Sequence, residues 1–212
     1  MSIQTEQELK GMQRVGQVVR LTLERMRAAV RPGITTGELD DIGAACLKEH
    51  GARSAPQLFY GFPGWNCISV NDEVVHGIPG DRKLEAGDLV TLDVTPELDG
   101  YVADAAVTVP VPPAKPLALA LCECAEAAFW KAAALAKAGA PLSLLGGAVE
   151  REVKGRGFRV LRELSGHGVG RKIHEPPSVL NYYDSRVRTR LTEGLVIALE
   201  PLISASTSRT RE

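Results

Sequence analysis

The sequence of 212 residues has few cysteines, no excess of either charge and no long apolar run. The net charge of -1, from 25 basic and 26 acidic side chains, gives no overall attraction to nucleic acid or to an anionic membrane. The longest apolar stretches, such as 117–122 and 195–199, are far too short to span a bilayer. Four cysteines at no zinc-finger spacing, and no apolar segment of the signal-peptide kind at the N-terminus, predict a cytoplasmic protein with no nucleic-acid or membrane partner.

Two helix pairs are predicted, one in each half of the chain. Apolar residues at helical spacing predict a helix over 6–30, and a capping box at Thr35 to Glu38 predicts a second helix that ends at Gly51. An offset of 106 residues superposes this segment on the one that begins at Lys137. The identities are Gly33 with Gly139, Leu39 with Leu145, Lys48 with Lys154, and Gly51 with Gly157.

The repeat predicts an α+β fold of two similar halves, about 6–109 and 117–203, within one domain over 1–212. Strands are expected at 67–70, 74–75, 88–95 and 101–109. A proline-rich connector at 110–116 then leads into an alanine-rich helix at 117–138. Chance similarity of two helix-turn-helix segments is the alternative explanation of the repeat.

Two aspartates lie in a predicted hairpin of apolar strands. If residues 97–100 form a four-residue loop, Asp93 lies directly opposite Asp104. Opposed residues have Cβ atoms about 4.5 to 5.5 Å apart, where two like charges are destabilising. The pair therefore predicts a bound cation or a shared proton. If the register differs by one residue, one carboxylate instead faces water.

Three of the four histidines lie beside glycine or proline. His76 and His174 are in predicted loops, and His167 has a glycine on each side, which permits close approach of backbone or of a ligand. His50 lies near a predicted helix C-terminus, where capping accounts for it.

Glu200 lies in an apolar run and is costly to bury unless it is paired or binds a metal. Carboxylates combined with one imidazole favour Mn, Fe, Co or Zn. Carboxylates that bridge would hold two ions about 3.5 to 4 Å apart, as in two-metal hydrolases. The candidate ligand set is Asp93, Asp104, His167 and Glu200.

Several linked motifs resemble those of the type I methionine aminopeptidases, in order and over essentially the whole chain. They are the segment 71–79 (NDEVVHGIP), Asp93 with Asp104, the segments 166–170 (GHGVG) and 174–177 (HEPP), and the segment 198–201 (ALEP). The resemblance implies a pseudo-twofold pita-bread fold, a curved antiparallel sheet covered by two helix pairs. It also implies hydrolytic removal of the initiator methionine from nascent proteins.

The resemblance also implies roles for individual residues. Asp93 and Asp104 would bind two divalent metal ions (Co, Mn, Fe or Zn), with Asp104 bridging them, and His167 and Glu200 would complete the matched ligands. Glu200 would also help to move the proton of the attacking water. His76 and His174 would contact the substrate and stabilise the tetrahedral intermediate.

The methionine pocket is expected at Phe59, Phe62 and Cys67, where contact between sulfur and an aromatic ring is favourable. Simple core packing of these three side chains is the alternative. The family also has a fifth ligand, a glutamate on a later strand, which this sequence does not supply. Glu212 lies in a polar tail and receives no ligand role, so the chain is expected to be either C-terminally truncated or a divergent member.

The expected partners are the N-terminal methionine of peptides or nascent proteins, and the ribosome, with the protein itself a monomer. A non-catalytic or metal-deficient pita-bread protein that binds peptides is the main alternative. A proline-directed peptidase of the same fold matches the 168–174 pattern less well. A cysteine hydrolase using Cys67 and His76 would lack a marked orienting residue.

Overall fold

The computed structural model describes residues 1–210; Arg211 and Glu212 lie outside the described residues. Every strand pairing is antiparallel, which confirms the predicted α+β class. In residues 1–210 the elements are α1 (Glu6–Ala29), α2 (Thr36–Glu49), β1 (Arg53–Ser54), α3 (Ala55–Tyr60), β2 (Cys67–Val70), β3 (Leu89–Val94), β4 (Pro96–Leu98), β5 (Tyr101–Val102), β6 (Ala105–Pro110), α4 (Pro116–Ala133), α5 (Leu142–Gly155), β7 (Arg159–Val160), β8 (Ser165–Gly168), β9 (Glu175–Leu180), β10 (Ile197–Ala198) and β11 (Ile203–Ser204).

The first of two compact units, the N-terminal unit, comprises Thr5–Ala118 and Gly170–Ile173. Its second helix begins at the predicted capping box, in which Thr35 Oγ1 accepts a hydrogen bond from Glu38 N and the Glu38 carboxylate accepts one from Thr35 N. Its sheets have the orders β2-β3-β6 and β1-β4-β5. Buried apolar side chains of α1, α2, β2 and β3 form one core, which fixes the strands that carry Cys67 and Asp93.

The second unit, the C-terminal unit, comprises Met1–Gln4, Leu119–Val169 and the described residues from His174 onward. Helices α4 and α5 bury small and branched side chains against β7 and β9, among them Ala128, Leu145 and Val179. Its three-stranded sheet has the order β10-β8-β9, and β11 pairs with β7. The strand that carries His167 is therefore the central one, held on both sides by backbone hydrogen bonds.

Gly33 and Gly139, which the offset of 106 residues superposes, donate similar hydrogen bonds inside their own units, to acceptors that are 107 residues apart. Gly33 N donates to Leu84 O, and Gly139 N donates to Leu191 O, both at 2.8 Å. The two glycines have φ angles of 85° and 86°. This left-handed region is accessible to glycine without a steric penalty. The glycine identities of the repeat therefore fall where the backbone restricts the residue type, whereas Leu39 and Leu145 are both buried core residues.

Three predicted boundaries are wrong. Residues 74–75 are not a strand, because Asn71 and His76 both have left-handed backbones that interrupt an extended chain. The predicted strand 101–109 divides into β5 and β6. The alanine-rich helix ends at Ala133 and does not continue to 138. Among residues 1–210, no helix combines the length and the apolarity that crossing a membrane requires.

Two glycines of α1 are expected to respond oppositely to alanine. Gly16 has open space around its missing Cβ, so Gly16→Ala should stabilise the protein by about 1 kcal/mol through helix propensity. A Cβ at Gly11 would overlap the ring of the buried Tyr101, so Gly11→Ala should destabilise by about 1 to 3 kcal/mol. Urea unfolding of both variants and of the parent chain measures the change in the free energy of unfolding. Stabilisation by Gly11→Ala would contradict the packing of Tyr101 on α1.

Candidate functional site

The hairpin that carries the two aspartates has a register different from the predicted one. Asp93 pairs with Ala106, and not with Asp104. The reason is the turn: Leu98 pairs with Tyr101, so the loop contains only Asp99 and Gly100. Their φ angles of 53° and 81° are those of a two-residue hairpin turn, which Asp-Gly sequences favour.

The two aspartates are therefore not directly opposite each other, which the prediction required. The shift amounts to two residues, and side chains alternate with a period of two, so each aspartate keeps its face. Thr95, which this register places opposite Asp104, donates from its Oγ1 to Asp104 Oδ1 over 2.9 Å. Cys67 of β2 pairs with Asp93 of β3. The two carboxylates and the thiol therefore belong to one region of the N-terminal unit.

Cys67 shows the electrostatic character of this region. Burial, together with the smaller effect of the charges of Asp93, Asp104 and Asp40, raises the pKa of its thiol to about 12. A thiol with this pKa forms almost no thiolate at neutral pH, and thiolate is the nucleophilic form. The cysteine-hydrolase hypothesis is therefore not supported.

Cys67 is expected to resist alkylation in the metal-free folded protein. At pH 8 iodoacetamide should modify the half-buried Cys122 well before Cys67, and denaturation should make both reactive. The folded pKa lies above the ordinary 9.0, so the neutral thiol stabilises the fold below pH 9, and this contribution is lost as the pH rises toward 12. Peptide mass mapping reads the order of modification; Cys67 reacting first would contradict the assigned burial.

In the C-terminal unit, the glycines that flank His167 allow the neighbouring strands to approach closely. A Cβ at Gly166 would overlap the carbonyl oxygen of Ala198 in β10, and one at Gly168 would overlap that of Pro176 in β9. His167 itself pairs with Ala198 on one side and Ser178 on the other. The predicted close approach around His167 is thus an approach of backbone.

His167 and Glu200 form a close pair within this unit. His167 is 8% exposed, and its Nδ1 lies 2.9 Å from Gly168 O, which can only accept, so the proton is assigned to Nδ1. Its Nε2 lies 3.0 Å from Glu200 Oε1. That buried oxygen receives no hydrogen bond of acceptable geometry from residues 1–210. Two electron-pair donors thus lie close together, an arrangement that a cation stabilises.

The other two histidines that were predicted to belong to the site lie in different environments. The ring of His174 lies 4.4 Å from that of His167, at an angle of 65°. His76 is exposed in a loop of the N-terminal unit and has a left-handed backbone with φ of 58°. The next residue, Gly77, donates a hydrogen bond to Ser69 Oγ and accepts one from Ile68 N. This loop is therefore hydrogen-bonded to β2.

The predicted pocket residues are buried to different extents. Phe59 lies near the end of α3 and is 43% exposed, so it is not a core residue. Phe62 is half-buried just after that helix, and Cys67 is buried in β2. The core-packing alternative holds for Cys67 alone, and Phe59 presents an aromatic surface to solvent.

Two supporting residues were missed by the sequence reasoning. Thr95 bonds Asp104, and Asn181, buried just after β9, donates from Nδ2 to Glu200 O over 2.6 Å. A polar side chain next to an apolar strand is the only sequence signal either residue offers. Their role depends on strand pairing, which the linear sequence does not display.

The comparisons with known proteins establish the family. The model of metallopeptidase family M24 matches residues 10–210, and the chain belongs to that family. The relatives are methionine aminopeptidases. Methionine aminopeptidase 2 of Bacillus subtilis is 46% identical over 206 residues, which are 96% of this chain and 83% of that protein. Methionine aminopeptidase of Clostridium perfringens is 36% identical over 209 residues, 99% of this chain and 84% of the relative.

Solved structures extend the similarity to the fold. The methionine aminopeptidase from Thermotoga maritima aligns with a TM-score of 0.94 and 32% identity, over 99% of this chain and 85% of that one. The prolidase from Pyrococcus furiosus aligns with a TM-score of 0.80 and 24% identity, over 94% of this chain and 57% of its own, and shares the fold alone. The resemblance to methionine aminopeptidases and the pita-bread fold are thereby confirmed. The non-catalytic alternative is not favoured.

Proposed function

We propose that this protein hydrolytically removes N-terminal methionine from peptides and nascent proteins. The observation that carries the proposal is the 46% identity, over 96% of the chain, to a methionine aminopeptidase. The residues that the motifs selected support it: a carboxylate pair in β3 and the segment before β6, and a histidine paired with a glutamate at β8. The prolidase similarity does not favour a proline-directed peptidase, because at 24% identity it concerns the fold.

Members of family M24 are metallopeptidases, and we assign the metal ligands to Asp93, Asp104, His167 and Glu200. The donor set fits divalent metals, since oxygen ligands with one imidazole suit Mn, Fe, Co and Zn. The close contact of His167 Nε2 with Glu200 Oε1, together with the Nδ1 contact to Gly168 O, is typical of a metal-binding histidine. Two ions are proposed because the set contains three carboxylates, and carboxylate-rich sites of hydrolases can hold two ions.

The mechanism assigns a distinct task to each group. Divalent cations, when bound, lower the pKa of water and polarise the scissile carbonyl. Glu200 accepts the proton of the attacking water and passes it to the leaving amine, as a general base and then a general acid. His174 and His76 donate hydrogen bonds to the substrate carbonyl oxygen as it gains negative charge. Thr95 and Asn181 hold the Asp104 side chain and the Glu200 backbone in place.

A peptide assay tests the activity. The chain is expected to release methionine from a Met-Ala-Ser peptide when Mn²⁺ or Co²⁺ is added, and a chelator should abolish the release. An N-acetylated Met-Ala-Ser peptide is the matched control, because an aminopeptidase requires a free α-amine. Absence of metal-stimulated release would reject the proposed function. Cleavage of the acetylated peptide would show that no free α-amine is required and would contradict an aminopeptidase.

Calorimetric titration tests the number of ions. Titration of the chelator-treated chain with Mn²⁺ is expected to show two binding events, and Asp104→Asn should weaken binding because the substitution removes a proposed carboxylate ligand. One event in the parent chain would contradict a dinuclear site and leave a single-ion enzyme.

Fewer observations support the proposed compartment and partners. All four cysteines are free thiols, which supports a reducing compartment, the cytoplasm. A monomer is proposed, to be tested by light scattering. The ribosome is proposed as the partner through which nascent chains are reached, and co-sedimentation with ribosomes tests it.

A further inference from the structure

The proposed pocket residues Phe59, Phe62 and Cys67 lie in one stretch of the N-terminal unit, residues 59–67, which we name the pocket segment. It runs from the end of α3 to the first residue of β2. Between these two elements, residues 61–66 belong to no helix or strand. Hydrogen bonds other than those of regular secondary structure must therefore fix the position of this middle part.

Asp40 of α2 accepts three hydrogen bonds from the end of the pocket segment. Its Oδ2 accepts one from Trp65 N over 2.9 Å, and its Oδ1 accepts one from Asn66 N and one from Asn66 Nδ2, both over 2.8 Å. Asp40 is 8% exposed, and Asn66 is fully buried. Hydrogen bonds to a carboxylate are about twice as strong as those between neutral groups, so this contact is a firm attachment of the pocket segment to α2.

Two neighbouring residues fit around these hydrogen bonds. Gly43, three residues after Asp40 in α2, leaves the space that the Asn66 side chain occupies, because a Cβ there would lie 2.4 Å from Asn66 Nδ2. The carbonyl oxygen of Trp65 accepts a hydrogen bond from Ser54 Oγ over 2.7 Å, and Ser54 is also the N-cap residue of α3. Trp65 is therefore tied to α2 through its N–H group and to the start of α3 through its C=O group.

The alternation of side chains in β2 connects this attachment with the proposed pocket. Successive side chains of an extended chain point to opposite faces. Ile68 belongs to the core that α2 covers, and Asn66, two residues earlier, contacts Asp40 on the same face. The side chain of Cys67 lies between them in sequence and therefore faces away from α2. Asp40 thus holds the residue before Cys67 from the side opposite to the pocket.

We propose that Asp40 is a positioning residue, which holds Phe62 and Cys67 in place for the methionine side chain by anchoring Trp65 and Asn66 to α2. This inference rests on the proposed function, because that function defines the substrate of the pocket. Asp40 acts through the backbone of the pocket segment and does not itself touch the substrate. Binding of the methionine side chain is therefore the step that depends on it.

Asp40→Asn is expected to raise KM for Met-Ala-Ser about tenfold at saturating Mn²⁺, the size of one hydrogen bond to a charged group. An amide has one acceptor oxygen in place of two, so at least one of the three donors loses its acceptor. The kcat should stay within about twofold of the parent value, whereas a loss of folded protein alone would lower the apparent kcat and leave KM unchanged. Asp41→Asn, the same change at an exposed position of α2, is the control without effect. An unchanged KM in Asp40→Asn would overturn the proposal.

Exchange of the two side chains tests the contact between Asp40 and Asn66. Asn66→Asp alone would bring two carboxylates into buried contact, so it should raise KM and lower the unfolding temperature. The chain that carries both Asp40→Asn and Asn66→Asp again places an amide donor beside a carboxylate. It should therefore recover part of both losses relative to Asn66→Asp alone. Losses that are simply additive would refute the assigned contact.

Hydrogen exchange distinguishes failure of this inference from failure of the proposed function. In the parent chain the amides of Trp65 and Asn66 should be protected, and Asp40→Asn should lower that protection while Asp41→Asn leaves it unchanged. Equal protection in Asp40→Asn and the parent would contradict the anchoring even in an active enzyme. An inactive parent chain with the expected exchange pattern would reject the aminopeptidase function, and with it the role of Asp40 in substrate binding, and leave only the attachment to α2.

Discussion

His167→Ala is expected to reduce metal-stimulated methionine release at least about 100-fold. Removal of an outer-shell partner alone typically costs 10- to 100-fold in metal affinity or activity, and removal of a ligand should cost no less. The imidazole is buried, and its Nε2 lies beside Glu200 Oε1. The substitution to alanine removes the nitrogen of His167. The shielded carboxylate of Glu200 then lacks this neighbouring metal ligand.

The measurements are release of methionine from Met-Ala-Ser and calorimetric Mn²⁺ binding. His50→Ala is the matched control, because His50 caps α2 through Cys46 O, and it should keep parental activity despite a small loss of stability. Asp104→Ala should resemble His167→Ala. Parental activity in either variant would show that the ligand assignment is wrong, even if the activity itself is real.

Gly166→Ala and Gly168→Ala are expected to destabilise the protein by about 3 kcal/mol or more each. In both cases the new methyl group would overlap a backbone carbonyl oxygen of a neighbouring strand, and backbone cannot move aside as a flexible side chain can. The strands must separate, and β8 is the central strand of its sheet. Both variants should therefore also weaken metal binding, because His167 lies between the two positions.

Gly155→Ala is the control in the same unit, since Gly155 has no atom near its missing Cβ and lies in the last turn of α5. It should be neutral or slightly stabilising. Thermal unfolding without Mn²⁺ measures the stability of each variant. The shift of the unfolding temperature on addition of Mn²⁺ measures metal binding. If Gly168→Ala unfolds at the parental temperature, the close strand packing around His167 is wrong.

The hairpin of Asp93 and Asp104 shows which features of a strand pair a local sequence pattern predicts. Alternation of apolar residues predicted that both aspartates lie on one face. The loop length was wrong, because a four-residue turn was assumed where Asp99 and Gly100 form a two-residue one. The error was an even number of residues, so it moved the partners without exchanging the faces.

The sequence by itself determined the helix caps, the glycine positions of the repeat, the family and the candidate ligands, because each depends on residue type and local spacing. Tertiary structure decided which atoms meet: Asp93 with Cys67, Thr95 with Asp104, and His167 with Glu200. Contacts of this kind follow from strand pairing and burial, which no short-range pattern encodes, and they set the charge and orientation of the groups that perform the chemistry.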